Sequence, residues 1–246
     1  MTNPASDISP VFCAVDTTDL SDAAALAGKL AGAVGGLKLG KEFFTCFGPD
    51  GVRQMTGASE LPLFLDLKFH DIPNTVAGAV RAACAMSPYL MTIHASGSAA
   101  MIAAAAEAAT AGAAEAGVTR PNILAVTVLT SMDQADLKSV GVNDAPSDQV
   151  RRLAALAQTN GADGIVCSPL EIETLRADLG PEFLLVVPGI RPAGSAAGDQ
   201  KRIMTPADAM ALGASHLVIG RPITQAADPA AAALAIAADI ADTGQN

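Results

Sequence analysis

A single-domain (β/α)₈ barrel is the fold class this sequence predicts, on three observations. Eight short apolar runs bounded by turn residues recur along the 246 residues. Stretches of helical length, amphipathic or rich in alanine, lie between them. The turn after the first run, VDTTDLSD, lacks the glycine cluster with which a doubly wound open sheet usually announces itself. Strand and helix alternating eight times close into a barrel, and α/β barrels of this length form one domain.

The runs read as strands in chain order: VFCAVD (11–16), GLKLG (36–40), PLFLDLKF (62–69), PYLMTIHA (88–95), NILAVTVLT (122–130), GIVCSP (164–169), FLLVVPGI (183–190) and HLVIGRPI (216–223). SDAAALAGKLAGAV follows the first, SDQVRRLAALAQTNG precedes the sixth and TPADAMALGA precedes the eighth, each opened by a Ser or Thr suited to cap a helix. The domain is expected to span 1–246, with 1–10 as a polar N-terminal extension.

Composition narrows the partners. Fifteen Lys and Arg against 25 Asp and Glu leave a net charge of −10, a field that repels phosphate backbones and anionic lipid heads. Nucleic acid and membrane are therefore not expected partners. An anionic substrate would need a local basic cluster. Cys13, Cys46, Cys84 and Cys167 form no C-x-x-C pair and have no His at metal-ligand spacing, so reduced, buried thiols are expected and a metal is not. MTNPASDISP lacks a signal-peptide pattern and the most apolar long stretch carries Glu107 and Glu115; a cytoplasmic protein is the expectation.

A barrel places catalytic groups at the C-terminal ends of its strands. Asp16 ends the first strand, Lys38 sits late in the second, and Asp66 and Lys68 sit late in the third, in FLDLKFHDIPNT. Residues two apart share a strand face, so Asp66 and Lys68, with Cα atoms roughly 7 Å apart, reach one pocket. Asp71, just past the strand, can bring a second carboxylate towards the same lysine. A network that only neutralises charge would explain any one of these residues. Four charges at two strand ends favour a site, because apolar side chains would fill that space at lower desolvation cost. His70 and His94 receive no catalytic role, since a lone histidine is more often a packing residue.

The loops after the seventh and eighth strands are the barrel's usual phosphate position. PGIRPAGSAAGDQKR brings Arg191 and Gln200, and IGRP brings Gly220 and Arg221. Backbone N–H groups, a guanidinium and a neutral amide donor suit one phosphate.

DLKFHDIPNT, with VDTTD upstream, LKLG, LTS after the fifth strand, PGIRPAG…DQKR and IGRPI, closely resembles the orotidine 5′-phosphate decarboxylase family in its shorter bacterial form. The segments run in order from about residue 11 to the last helix. The resemblance implies decarboxylation of orotidine 5′-phosphate to uridine 5′-phosphate and CO₂ in pyrimidine biosynthesis, with no cofactor and no metal. It also assigns roles. Asp16 and Lys38 would bind the ribose hydroxyls, Asp66 would face the substrate carboxylate, and Lys68 would donate the proton. Asp71, Ile72 and Thr75 would complete the site of a neighbouring subunit, making a homodimer with shared sites. Thr130 and Ser131 would contact the pyrimidine and Pro188 would wall the pocket. Arg191, Gln200, Gly220 and Arg221 would hold the phosphate.

Two rivals stand beside this. Metal-dependent sugar-phosphate decarboxylases or aldolases of the same barrel superfamily also resemble D-x-K-x-x-D, but they place a metal-binding carboxylate where this chain has Lys38, which repels Mg²⁺. A non-catalytic phosphate-ligand binding module would account for the phosphate loops but not for a lysine between carboxylates.

Overall fold

The computed structural model describes residues 9–192 and 204–243. Eight parallel strands form a closed barrel in sequence order: β1 (Val11–Val15), β2 (Gly36–Gly40), β3 (Leu63–Phe69), β4 (Leu90–His94), β5 (Asn122–Val126), β6 (Gly164–Val166), β7 (Leu184–Pro188) and β8 (His216–Ile219), with β8 paired back onto β1. Around them run α1 (Leu20–Leu30), α2 (Lys41–Ser59), α3 (Pro73–Ala83), α4 (Ala99–Ala116), α5 (Gln134–Ser139), α6 (Pro146–Thr159), α7 (Ile172–Leu179), α8 (Pro206–Ala211), α9 (Arg221–Thr224) and α10 (Pro229–Thr243). The predicted barrel is present, with all eight strands on the expected runs. Of the expected N-terminal extension, residues 1–8 lie outside the described residues; the Pro10 carbonyl accepts from the Leu217 amide.

The strands read as continuous apolar runs because both faces are covered. On β1, Phe12 and Ala14 point into the barrel and pack with Phe64, Leu90, Leu124, Val186 and Val218, while Val11, Cys13 and Val15 join the layer under the helices. Gly36 is required by this packing: a Cβ there would collide with the Phe12 ring and the Pro62 carbonyl.

Several apolar runs extend beyond the strands they predict. The run expected to continue to residue 130 leaves the sheet after Val126, where the Thr127 hydroxyl donates to the Val166 carbonyl at 3.0 Å. The surplus apolar residues have another use. Val128, Leu129 and Pro188 line a pocket at the C-terminal mouth.

Local capping fixes the helix starts. The Asp19 carboxylate accepts from the Ser21 and Asp22 amides at the start of α1, and Asp133 and Asp136 form a capping box on α5. α2 is two helical segments meeting at Gly48, whose φ of 58° only glycine adopts without strain, followed by Pro49. No helix among the described residues is long and apolar enough to cross a membrane.

Among the described residues, the strand ladder breaks in β3. Leu65 pairs with Met91, yet Phe69 pairs with Ile93, so β3 carries two more residues than β4 over the same span. Lys68, inside that bulge, has φ of +53°, the left-handed region that costs a non-glycine residue about 1 kcal/mol or more. Such strain persists only where surrounding contacts enforce it.

Candidate active site

At the C-terminal mouth, adjacent strand ends deliver alternating charges. Lys38 Nζ stands 3.5 Å from Asp16 Oδ1 and 3.6 Å from Asp66 Oδ2. Lys68 Nζ donates to Asp66 Oδ1 at 2.6 Å. The expected approach of Asp66 and Lys68 is therefore met, although by a bulge rather than by the regular pleat from which it was inferred.

Lys38, Asp66 and Lys68 line a cavity of about 200 Å³ whose other walls are mostly apolar, among them Val126, Val166, Cys167, Pro188 and Val218. Thr130 joins the lining, so Pro188 and Thr130 stand where the sequence places them, beside the charged cluster. A larger depression, about 880 Å³, lies at the opposite end among Pro62, Tyr89, Asn122 and Leu184; its charges are Arg120, paired with Asp163 at 2.8 Å, and Glu182, and it has no lysine between carboxylates.

Electrostatics keep Asp66 ionised in this setting. Burial alone would raise its pKa. Attraction by Lys38 and Lys68, with hydrogen bonds from Lys68 and Thr92, outweighs that and leaves it below the ordinary carboxylate value. Beneath the cluster, burial first and then the Asp16 charge push the Cys13 thiol up to about 12, so Cys13 stays protonated and unreactive. His94 packs on His70 with ring centroids 5.2 Å apart. Burial, His70, Lys41 and Lys68 lower its pKa to about 4, which leaves it neutral at pH 7.

Not every expected residue joins the cluster in this chain. Asp71 is exposed and its Oδ1 accepts from the Ile72 amide; among the described residues it makes no ion pair with Lys68. Ile72, 66% exposed, precedes α3, and Thr75 is exposed on that helix. Ser131 follows Thr130 but does not line the cavity. Gly220 and Arg221 follow β8 at the same mouth, with Arg221 exposed. Arg191 is buried, and its Nη1 donates to the Ile190 carbonyl at 2.8 Å. Gln200 lies outside the described residues.

Sequence reasoning missed Thr92. It is fully buried, donates to Asp66 Oδ1 at 3.0 Å and accepts from the Lys68 amide at 2.9 Å. Its signal was visible as a hydroxyl in the otherwise apolar run LMTI.

The family described as orotidine 5′-phosphate decarboxylase / HUMPS matches residues 9–236. A protein of Paramagnetospirillum magneticum named orotidine 5′-phosphate decarboxylase is 58% identical over 233 residues, covering 95% of this chain and 99% of its own length. One of the same name from Rhodospirillum rubrum is 58% identical over 231 residues, 94% of each chain. The crystal structure of orotidine 5′-phosphate decarboxylase from Lactobacillus acidophilus superposes with a TM-score of 0.84 at 38% identity, covering 94% of this chain and 99% of that one. The match spans the whole barrel, including every strand end that carries a charge of the cluster, and on it the chain belongs to the orotidine 5′-phosphate decarboxylase / HUMPS family.

Proposed function

We propose that the chain decarboxylates orotidine 5′-phosphate to uridine 5′-phosphate and CO₂, as a single-domain cytoplasmic homodimer, without metal or cofactor. The observation that carries this reading is the Lys68 ammonium held on Asp66, with Lys38 on the carboxylate's other oxygen, inside a largely apolar pocket. Breaking the bond from C6 to the carboxylate leaves its electron pair in the ring plane, where no adjacent carbonyl can take it up as an enolate. Stabilisation must then come from fixed charge. Lys68 supplies that charge and transfers a proton from Nζ to C6; solvent later restores it.

The other residues take the roles that the family resemblance implies. Asp16 and Lys38 bind the ribose hydroxyls, while Asp66 orients Lys68 and faces the substrate carboxylate. Thr130, Ser131 and Pro188 bound the pyrimidine. Arg191, Gln200, Gly220 and Arg221 hold the phosphate, whose binding energy is then available at the reacting centre. Lys38, between Asp16 and Asp66, puts an ammonium where the metal-dependent rival has a metal-binding carboxylate. Cys13, Cys84 and Cys167 are free and buried as expected, whereas Cys46 is free but exposed on α2; free thiols suit a reducing compartment.

The shared site is part of the proposal. Asp71 does not pair with its own Lys68, and beside it Ile72 offers an exposed apolar side chain, which favours their serving a second copy. Chains carrying Lys68→Ala and chains carrying Asp71→Ala should each be inactive alone. Refolded as an equal mixture, half the dimers would be mixed, each with one intact site, and activity should return to roughly a quarter of wild type. Mixed dimers that stay at background would refute the cross-subunit role.

The direct test of function is the fall in ultraviolet absorbance of orotidine 5′-phosphate with purified protein and excess chelator. Turnover supports the reading. Turnover that appears only on adding Mg²⁺ favours the metal-dependent rival, and binding of uridine 5′-phosphate without turnover favours a binding module.

A further inference from the structure

Lys68 has a backbone conformation that needs enforcing, and Asp66 has a carboxylate that needs aiming. Both needs meet at one hydroxyl. Thr92 Oγ1 accepts from the Lys68 amide at 2.9 Å, at the point where the bulge has taken that amide out of the regular ladder. The same oxygen donates to Asp66 Oδ1 at 3.0 Å, the oxygen that also accepts from Lys68 Nζ at 2.6 Å. A closed circuit results: the lysine's backbone and its ammonium are tied to opposite ends of a two-link bridge through Thr92 and Asp66.

We propose that Thr92 is a positioning residue for the reaction, holding Lys68 in its left-handed conformation and fixing Asp66 so that the ammonium is aimed into the pocket. The inference rests on the reading that Lys68 is the proton donor. Three features of the site support it. Thr92 is fully buried on β4, so its hydroxyl has no exchange with bulk solvent to compete for the two bonds. Its β-branched side chain restricts χ1, which keeps the hydroxyl in place before substrate arrives. Its hydroxyl also donates one of the hydrogen bonds that hold Asp66 below the ordinary carboxylate value, alongside Lys38 from β2 and Lys68 from β3. Asp16, after β1, reaches Asp66 through Lys38, and His94, at the end of β4 beside His70 and Lys41, feels Asp66 only through space.

Thr92→Val keeps the shape and removes the hydroxyl; Thr92→Ser keeps the hydroxyl and removes a methyl. In the whole protein, Thr92→Val should lower kcat about 10- to 100-fold with KM moving less than about threefold, the size of losing a hydrogen bond to a charged group. Thr92→Ser should recover most of that loss. Hydrogen exchange of the Lys68 amide, followed by NMR without substrate, should quicken by roughly tenfold or more in Thr92→Val and little in Thr92→Ser. A valine variant with wild-type kcat and an unaltered Lys68 amide would overturn the proposal even if it melted lower, because a merely structural threonine moves only the melting point. Equal losses in the two variants would overturn it too, since the hydroxyl would then not be what matters. Should Thr92→Val not fold, Thr92→Ala gives the same two readouts. Should the wild type fail to turn over orotidine 5′-phosphate, the functional reading falls by itself, and the amide exchange still decides whether Thr92 holds Lys68.

Discussion

The two ends of the barrel interior treat buried ionisable groups in opposite ways. At the mouth, Asp66 lies between Lys38 and Lys68, accepts from Thr92, and stays charged despite burial. At the base, His216 lies among rings, with Phe12 at 5.2 Å and Tyr89 at 6.0 Å, and neither of its nitrogens has a hydrogen-bond partner among the described residues. There burial lowers the pKa to about 4 and the ring stays neutral. The same desolvation acts in both places. What differs is whether opposite charge is supplied, and the mouth, which has chemistry to perform, is where it is supplied.

The most severe way to break this comparison is to remove the charge at the mouth. Lys68→Ala should lower turnover by roughly 10⁴-fold or more, the combined loss of a proton donor and of electrostatic stabilisation. The protein should still fold and bind uridine 5′-phosphate, measurable by calorimetry, because the apolar walls and phosphate groups remain. Turnover within about tenfold of wild type would remove Lys68 from the mechanism.

The mouth's chemistry was legible in residue types and its architecture only partly so. Continuous apolar runs mark strands covered on both faces, and charges that interrupt them late, as Asp66 and Lys68 do, mark the mouth. The inference that these two share a face assumed an unbroken pleat. The structure reaches the same approach through the bulge and a positive φ at Lys68, a feature set by a tertiary contact to Thr92 that no local pattern encodes. Likewise, the sequence shows Phe12, Tyr89 and His216 but not that barrel closure stacks them at the base. Arg191 reads as a loop cation and is buried, because the Ile190 to Met204 bridge draws its backbone inward. The role of Asp71 came from family resemblance alone, since one chain does not carry its partner's geometry.

Near the base a third solution for charge appears in Arg176 on α7. Its guanidinium donates to the carbonyls of Gly213 at 2.6 and 3.0 Å, Gly180 at 2.6 Å and Phe183 at 2.8 Å, and to the Ser215 hydroxyl at 3.1 Å. Neutral dipoles here replace carboxylates, and the result ties α7 to the starts of β7 and β8. Arg176→Met keeps the aliphatic stem and strands the carbonyls, so it should cost about 2–4 kcal/mol of stability in urea unfolding, with kcat unchanged per folded molecule. A cost below about 1 kcal/mol would mean the carbonyls are satisfied by water once the arginine is gone.

The remaining effect tests the base itself and appears only as pH falls. His216 is 4% exposed and its folded pKa is lowered from 6.5 to about 4 by burial. Between those values the unfolded chain binds a proton that the folded chain refuses, so stability falls as pH drops from about 6.5 towards about 4 and levels off below. Through this one group the fall amounts to roughly 3 kcal/mol at most, at 1.36 kcal/mol for each pKa unit. His216→Leu removes the titration and fills a similar volume without orphaned nitrogens. Unfolding free energies measured at intervals from pH 7 to pH 4 should therefore decline less steeply in the variant. His94, with a pKa lowered to about 4 as well, titrates in both proteins, so the difference between the two curves isolates His216. The gap should open below pH 6.5 in the variant's favour. Parallel curves across that window would mean that His216 meets water or a polar partner when folded, and the contrast between a charged mouth and a neutral base would lose its cleanest case.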